Sequence, residues 1–182
     1  MKVKEMILVA LFAALTAVGA FIQIPLGTVP ITLQFLFTAL SGIMLGSRLG
    51  ALSQLVYVVI GLIGVPVFAG GIGGITAVVS PSFGYLIGFI LAAYIIGKIS
   101  EGYSSPRLIH FLAASIGGAI VIYLIGVPYL YYIVRFVVGK QITLMTALKT
   151  GFYVFIPGDL MKCIIVAAIG SKVVPVVKKA YL

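Results

Sequence analysis

Asp159 and Lys162 are two ionisable residues in a stretch that is otherwise fit for lipid. They lie within Gly151 to Gly170, immediately after Pro157-Gly158. Of the three acidic residues in the chain, Asp159 alone falls inside an apolar run. A charge at bilayer depth costs roughly 2.5 kcal/mol or more and is retained where it faces protein or a water-filled cavity. Residues three apart share one helical face, so the two either pair with each other or grip one ligand together. Thr32 and Gln34 come after Val29-Pro30 at the start of another apolar segment. An amide in a membrane helix needs a partner, which is another helix or a ligand. Gly70-Gly71-Ile72-Gly73-Gly74 offers backbone, notably at Gly71 and Gly73, that a ligand can approach closely. It is neither a phosphate loop nor a dinucleotide fingerprint, because no Lys-Ser/Thr comes after it and no strand precedes it. Phe68, just before it, can stack on a ring. Tyr85 and Tyr94 are nine residues apart and therefore on different faces of one helix, so one is expected toward a cavity and the other toward lipid or a neighbour.

Catalytic chemistry has little to work with. The chain has one histidine, His110, placed near the opposite end of its segment from the depth of Asp159. There is no HExxH and no pair of carboxylates, so no metal site and no cofactor are expected. Cys163 is the only cysteine and reads as a small apolar filler.

The elements that must hold these residues are membrane helices. The chain is 63% hydrophobic and 8% charged, against about 25% charged in a soluble domain, and its mean hydropathy is +1.31. The expectation is one all-α transmembrane domain over residues 1–182. The net charge of +9 does not point to nucleic acid, because the basic residues sit at the ends of apolar runs, where they set orientation and meet anionic lipid. Lys2 and Lys4 before Met6 to Ala17 imitate a secretory signal, but the remainder of the chain is equally apolar, so this is read as the first spanning helix.

Six segments are expected: about Met6–Ile24, Ile31–Leu45, Leu49–Ile63, Phe83–Gly97, Leu108–Gly126 and Leu144–Val174, the last kinked at Pro157-Gly158. An even number puts both termini on one side. That side carries Lys2, Lys4, Arg48, Lys98, Arg107, Lys172, Lys178 and Lys179, and the other carries Arg135, Lys140 and Lys149, so both termini are expected in the cytoplasm. The outer connections are then 25–30, 64–82 and 127–143. Residues 64–82 are apolar and glycine-rich, which suits backbone folded over a cavity rather than a solvated loop. Residues 129–138, YLYYIVRFVV, read as a short interfacial helix. Leu-Ile-Gly-Val-Pro occurs at 62–66 and 124–128 and reads as a shared helix stop. In the first segment, Ala10, Ala13, Ala14 and Ala17 form small-xxx-small pairs, which allow close helix approach within the protein or with a partner.

ALFAALTAVGAFIQIPLGTVPITLQ at 10–34, SRLGALS at 47–53, GLIGVPVFAGGIGG at 61–74, GYLIGF at 84–89 and FIPGDLMK at 155–162 together resemble the BioY family, the biotin-binding S components of energy-coupling factor (ECF) vitamin transporters. The resemblance covers nearly the whole chain. It departs at Ser80-Pro81-Ser82-Phe83-Gly84-Tyr85, where the family often has a smaller, glycine-richer stretch, and this bears on the carboxylate end of the pocket. The resemblance implies six helices in a prokaryotic cell membrane and a biotin cavity near the outer face, closed by the loops 25–30 and 64–82. It also implies transport driven by a transmembrane coupling subunit and two cytoplasmic ATPases, with the alanines of the first segment docking on the coupling subunit. Asp159 and Lys162 would meet the ureido ring, Gln34 and Thr32 would complete the polar set, Phe68 and the glycines would wall the thiophane ring and valeryl chain, and Tyr85 would donate to the carboxylate. The remaining alternatives are an S component for another small vitamin, and a non-transporting membrane scaffold in which Asp159 and Lys162 only lock two helices.

Overall fold

A computed structural model describes residues 1–103 and 105–181, with side chains described as far as Pro175. The side chains of Lys178 and Lys179, counted in the orientation argument, lie outside the described residues. Five helices among the described residues are long and apolar enough to cross a membrane. They are built on α1 (Val3–Phe21), α2 (Gln34–Leu62), α3 (Phe83–Glu101), α4 (Leu108–Tyr132) and a final stretch holding the short α5 (Leu144–Leu148) and the long α6 (Ile156–Tyr181). The expected count was six. The difference lies in α2, where the expected segments 31–45 and 49–63 join with no loop between them.

That element is not a straight rod. Gly46 sits inside it at φ 82°, ψ 179°, a left-handed, extended geometry that glycine adopts without a Cβ clash. Gln34 Nε2 donates to Tyr57 Oη at 2.8 Å across 23 residues. A continuous helix rising ~1.5 Å per residue would hold them ~35 Å apart. The element therefore turns back on itself at Gly46, and its two arms, 34–45 and 47–62, pack side by side. Gly42 and Gly50 face each other across the turn, where a Cβ on Gly50 would lie 2.9 Å from the Gly42 Cα. Glu101, at the end of α3, seals the turn by accepting from Ser47 N at 2.8 Å and Ser47 Oγ at 2.9 Å. A carboxylate at the start of a helical arm satisfies N–H groups that have no partner within the helix.

The arms and α1 are tied by polar groups. Gln54 is fully buried. Its Oε1 accepts from Thr38 Oγ1 at 3.0 Å, and its Nε2 donates to Ser53 Oγ at 3.1 Å, Thr16 Oγ1 at 3.2 Å and Ser41 Oγ at 3.3 Å, the Thr16 proton going to the Phe12 carbonyl at 2.8 Å. In lipid, helices gain little from apolar contact alone, and such bonds average ~0.6 kcal/mol each. Gln54→Leu is expected to lower stability by about 2 kcal/mol, because several bonds go at once. Reversible unfolding in mixed detergent measures this, and an unchanged midpoint would show the network to be incidental.

The outer connections are folded rather than loose. Gln23–Ile24 (β1) and Ile31–Thr32 (β2) pair antiparallel, bringing the 25–30 turn back over the end of α1. After α2, Gly64 takes φ 113°, Phe68 pairs with Ile72, and Ile75–Val79 forms a 3-10 turn leading into α3. The two Leu-Ile-Gly-Val-Pro copies have different fates. The first ends a helix at Leu62, whereas the second lies inside α4, which runs through Pro128 to Tyr132 and on through a π turn to Val137. The shared helix stop is thus corrected, and so is the separate interfacial helix at 129–138. At Gly126 the Tyr85 ring occupies the space a Cβ would need, whereas Gly64 leaves the helix at φ 113°, a backbone region that favours glycine. The kink expected at Pro157-Gly158 lies slightly earlier. The helical path loosens through a π turn at Lys149–Tyr153 and restarts at Ile156, where a proline in the first turn removes no needed hydrogen bond.

Candidate functional site

The restart of α6 sets the chemistry. Asp159 occupies its first turn, where the positive end of the helix dipole favours an anion. One turn on, Lys162 is 7% exposed and donates from Nζ to Asp159 Oδ1 at 2.7 Å. The other carboxylate oxygen, Oδ2, accepts from the hydroxyl of Tyr123 on α4. The pair therefore bridges two helices and is fully compensated within the protein.

It also borders an open cavity whose lining mixes apolar side chains with a few polar ones, the composition expected of a small-molecule site. Asp159, Lys162 and Tyr123 supply one polar group of its lining, and Thr32 and Gln34 another. Gln34 is held by the start of α2: Thr32 Oγ1 donates to its Oε1 at 2.9 Å, and its own Nε2 reaches Tyr57. Tyr57 passes its proton to the Val67 carbonyl at 3.0 Å, fixing the 64–74 loop to the arm beneath it. Phe68 and Ala69 of that loop line the cavity. The Phe68 ring lies edge-on to Tyr57, with centroids 5.6 Å apart, in room that Gly61 leaves open. Apolar walls come from Val29, Phe89, Ile122 and Phe155.

Of the eight residues expected at a ligand, six line this cavity: Thr32, Gln34, Phe68, Tyr85, Asp159 and Lys162. Gly71 and Gly73 do not. Gly71 takes φ 70° in open space, shaping the loop, and Gly73 packs on the Val65 backbone, where a Cβ would meet the carbonyl oxygen at 2.5 Å. Both serve the loop's path rather than its inner surface. Tyr85 faces the cavity and Tyr94, on the opposite face of α3, is 43% exposed. The Tyr85 hydroxyl, however, is already given to the Gly151 carbonyl at 2.8 Å, so it has no proton left for a carboxylate. Tyr123 and Tyr57 were not anticipated. The signal for both was a phenol inside an apolar segment, since a buried tyrosine hydroxyl must find a partner. Ala10, Ala13, Ala14 and Ala17 line a separate apolar groove between α1 and the second arm of α2, with Val56, Tyr57, Ile60 and Val67. His110 stacks on Tyr103 with centroids 3.9 Å apart, far from this site in sequence and fold. Cys163 is buried. No group of three or more metal-ligating side chains occurs among the described residues.

The chain and its fold are similar to those of known proteins. The chain is 46% identical to the probable biotin transporter BioY of Lysinibacillus sphaericus, over 97% of this chain and 89% of that one. It is 39% identical to the biotin transporter BioY of Thermotoga maritima, over 93% and 95%. The structure superposes on the crystal structure of the S-component for biotin from an ECF-type ABC transporter with a TM-score of 0.79, at 30% identity, covering 93% of this chain and 90% of that one. The family model described as the BioY family matches residues 1–179. A multi-pass membrane protein with this fold and these relatives belongs to the BioY family.

Proposed function

We propose that this chain captures biotin as the S component of an ECF-type uptake system and is not itself an enzyme. The carrying observation is the joint lining of one cavity by Asp159, Lys162, Thr32 and Gln34 beneath Phe68 and Ala69. Biotin's bicyclic head presents two N–H donors and a carbonyl. Asp159 accepts from an N–H and Lys162 donates to the carbonyl, and both bonds are strengthened by charge. Gln34 and Thr32 add polar contacts, and Phe68 with the aliphatic walls receives the thiophane ring and valeryl chain. The two arms of α2 each cross the membrane, giving six crossings in one domain over residues 1–182 with both termini cytoplasmic. The cavity then opens outward, and the connections 25–30 and 64–82 close over the ligand.

Release inward is driven by a transmembrane coupling subunit and two cytoplasmic ATPases. The coupling subunit docks on the groove of Ala10, Ala13, Ala14 and Ala17, whose small side chains admit a helix closely. Calorimetry on the purified protein in detergent should show tight 1:1 biotin binding. A folded protein that ignores biotin would discard the ligand. Ala14→Leu, at an exposed position of the groove, is expected to keep biotin affinity within twofold and abolish uptake in cells that supply the other subunits. Uptake at the wild-type rate would remove the groove from the docking surface.

A further inference from the structure

We propose that Tyr123 is the positioning residue that makes this cavity specific for a ring N–H, a role that rests on the biotin reading above. Asp159 and Lys162 both stand on α6, so nothing within that helix fixes their direction relative to the opposite wall. Tyr123 does so from α4 by donating to Asp159 Oδ2, while Lys162 holds Oδ1. Its ring is itself aimed by neighbours. Phe152 meets it edge-on at 4.8 Å and Tyr85 edge-on at 6.4 Å, and Phe155 lies 6.5 Å away.

The direction of that proton decides what the cavity can read. A phenol has one proton and lone pairs, and an ionised carboxylate only accepts. With its proton given to Asp159, the Tyr123 oxygen faces a ligand as an acceptor. Two acceptors from two helices thus stand beside one ammonium, Lys162, which has N–H bonds to spare beyond the one to Asp159. A ligand that fits presents N–H groups next to a carbonyl, as a cyclic urea does. A ligand carboxylate, which only accepts, can meet Lys162 but finds no donor in Asp159 or Tyr123, so the array favours the ring end of the bound molecule. Without the Tyr123 hydroxyl, one carboxylate oxygen is free to turn, and the array loses both an acceptor and its direction.

The test compares wild type with Tyr123→Phe against biotin and against its two ring-N-methyl derivatives. Losing a hydrogen bond to a charged group corresponds to about a 10- to 100-fold drop in biotin affinity. The N-methyl derivative that has lost the N–H facing these acceptors should fall far less, so the variant's preference for biotin over it narrows by about tenfold. An equal loss for all three ligands would mean that the hydroxyl only supports the fold, and biotin affinity within twofold of wild type would give it no part; either result overturns the proposal. A wild type that binds no biotin overturns the underlying reading as well, which separates the two failures. Asp159 is the only aspartate in the sequence, so infrared spectra of protein carrying ¹³C-labelled aspartate report on it alone. Its carboxylate band should shift between wild type and Tyr123→Phe before any ligand is added. Should Tyr123→Phe fail to fold, Phe152→Leu keeps the hydroxyl but loosens the ring, and must show the same narrowing; an unchanged preference there counts against the proposal.

Discussion

Asp159→Asn should weaken biotin binding by at least about 30-fold and lower the stability of the empty protein. The substitution keeps size and one carbonyl acceptor, so Tyr123 retains a partner. The negative charge is lost. The ligand N–H then meets a neutral amide, and Lys162, 7% exposed, has no counter-ion 2.7 Å away. Truncating one member of a buried charge pair typically costs ~2–5 kcal/mol in binding and ~3–5 kcal/mol in stability, much of it from the stranded partner. The two contributions separate experimentally. Adding Lys162→Met removes the stranded ammonium, and replacing a whole buried pair by apolar groups is often neutral. The double variant should therefore regain most of the unfolding midpoint while still failing to bind biotin. If Asp159→Asn bound biotin within threefold of wild type, the carboxylate would have no part in recognition. If it lost only stability, the pair would be an interhelical lock and the scaffold alternative would gain.

A second large effect is expected at Gly97, far from the cavity. A Cβ at Gly97 would fall inside contact distance of the backbone of Ser47 and lie 2.6 Å from the carbonyl carbon of Gly46. These are backbone atoms at the tip of the α2 turn, and they cannot rotate away as a side chain would. Gly97→Ala should force α3 from the turn, disturb the Glu101 bonds to Ser47, and cost about 1–3 kcal/mol or more. Gly117 is the matched control, because a Cβ there meets only Ile99 Cδ1 at 3.5 Å, an ordinary contact. Unfolding of the two alanine variants side by side tests this. Equal midpoints would mean that the helices separate at little cost and that the close packing of α3 on the turn is not what holds the arms together.

Much of this protein was legible in one dimension. Hydropathy marks the membrane class because lipid demands long apolar runs whatever their arrangement. Asp159 and Lys162 announced a site because charge in such a run is costly unless something compensates it, and their spacing of three placed them on one helical face. In the apolar, charge-free 64–82 stretch, Phe68 and Ala69 line the cavity, while Gly70, Gly71 and Ile72 stay exposed. The limits of local pattern are equally specific. Leu-Ile-Gly-Val-Pro ends one helix at Leu62 and continues another through Pro128, so the same five residues take two conformations in two surroundings.

The sequence by itself determined that the chain lives in lipid and where its charged pair must lie along α6. Those properties arise from the cost of polar groups in hydrocarbon and from helical periodicity, both of which act over a few residues. Only the tertiary structure decided that the two arms of α2 join at Gly46 with no loop between them, that Gly71 and Gly73 shape the loop without lining the cavity, that the Tyr85 proton belongs to Gly151, and that Tyr123 holds the second oxygen of Asp159. The last two are contacts between groups distant along the chain: 36 residues separate Tyr123 from Asp159 and 66 separate Tyr85 from Gly151. Helix packing, which is a property of whole surfaces meeting, selects such partners, and no local spacing encodes them.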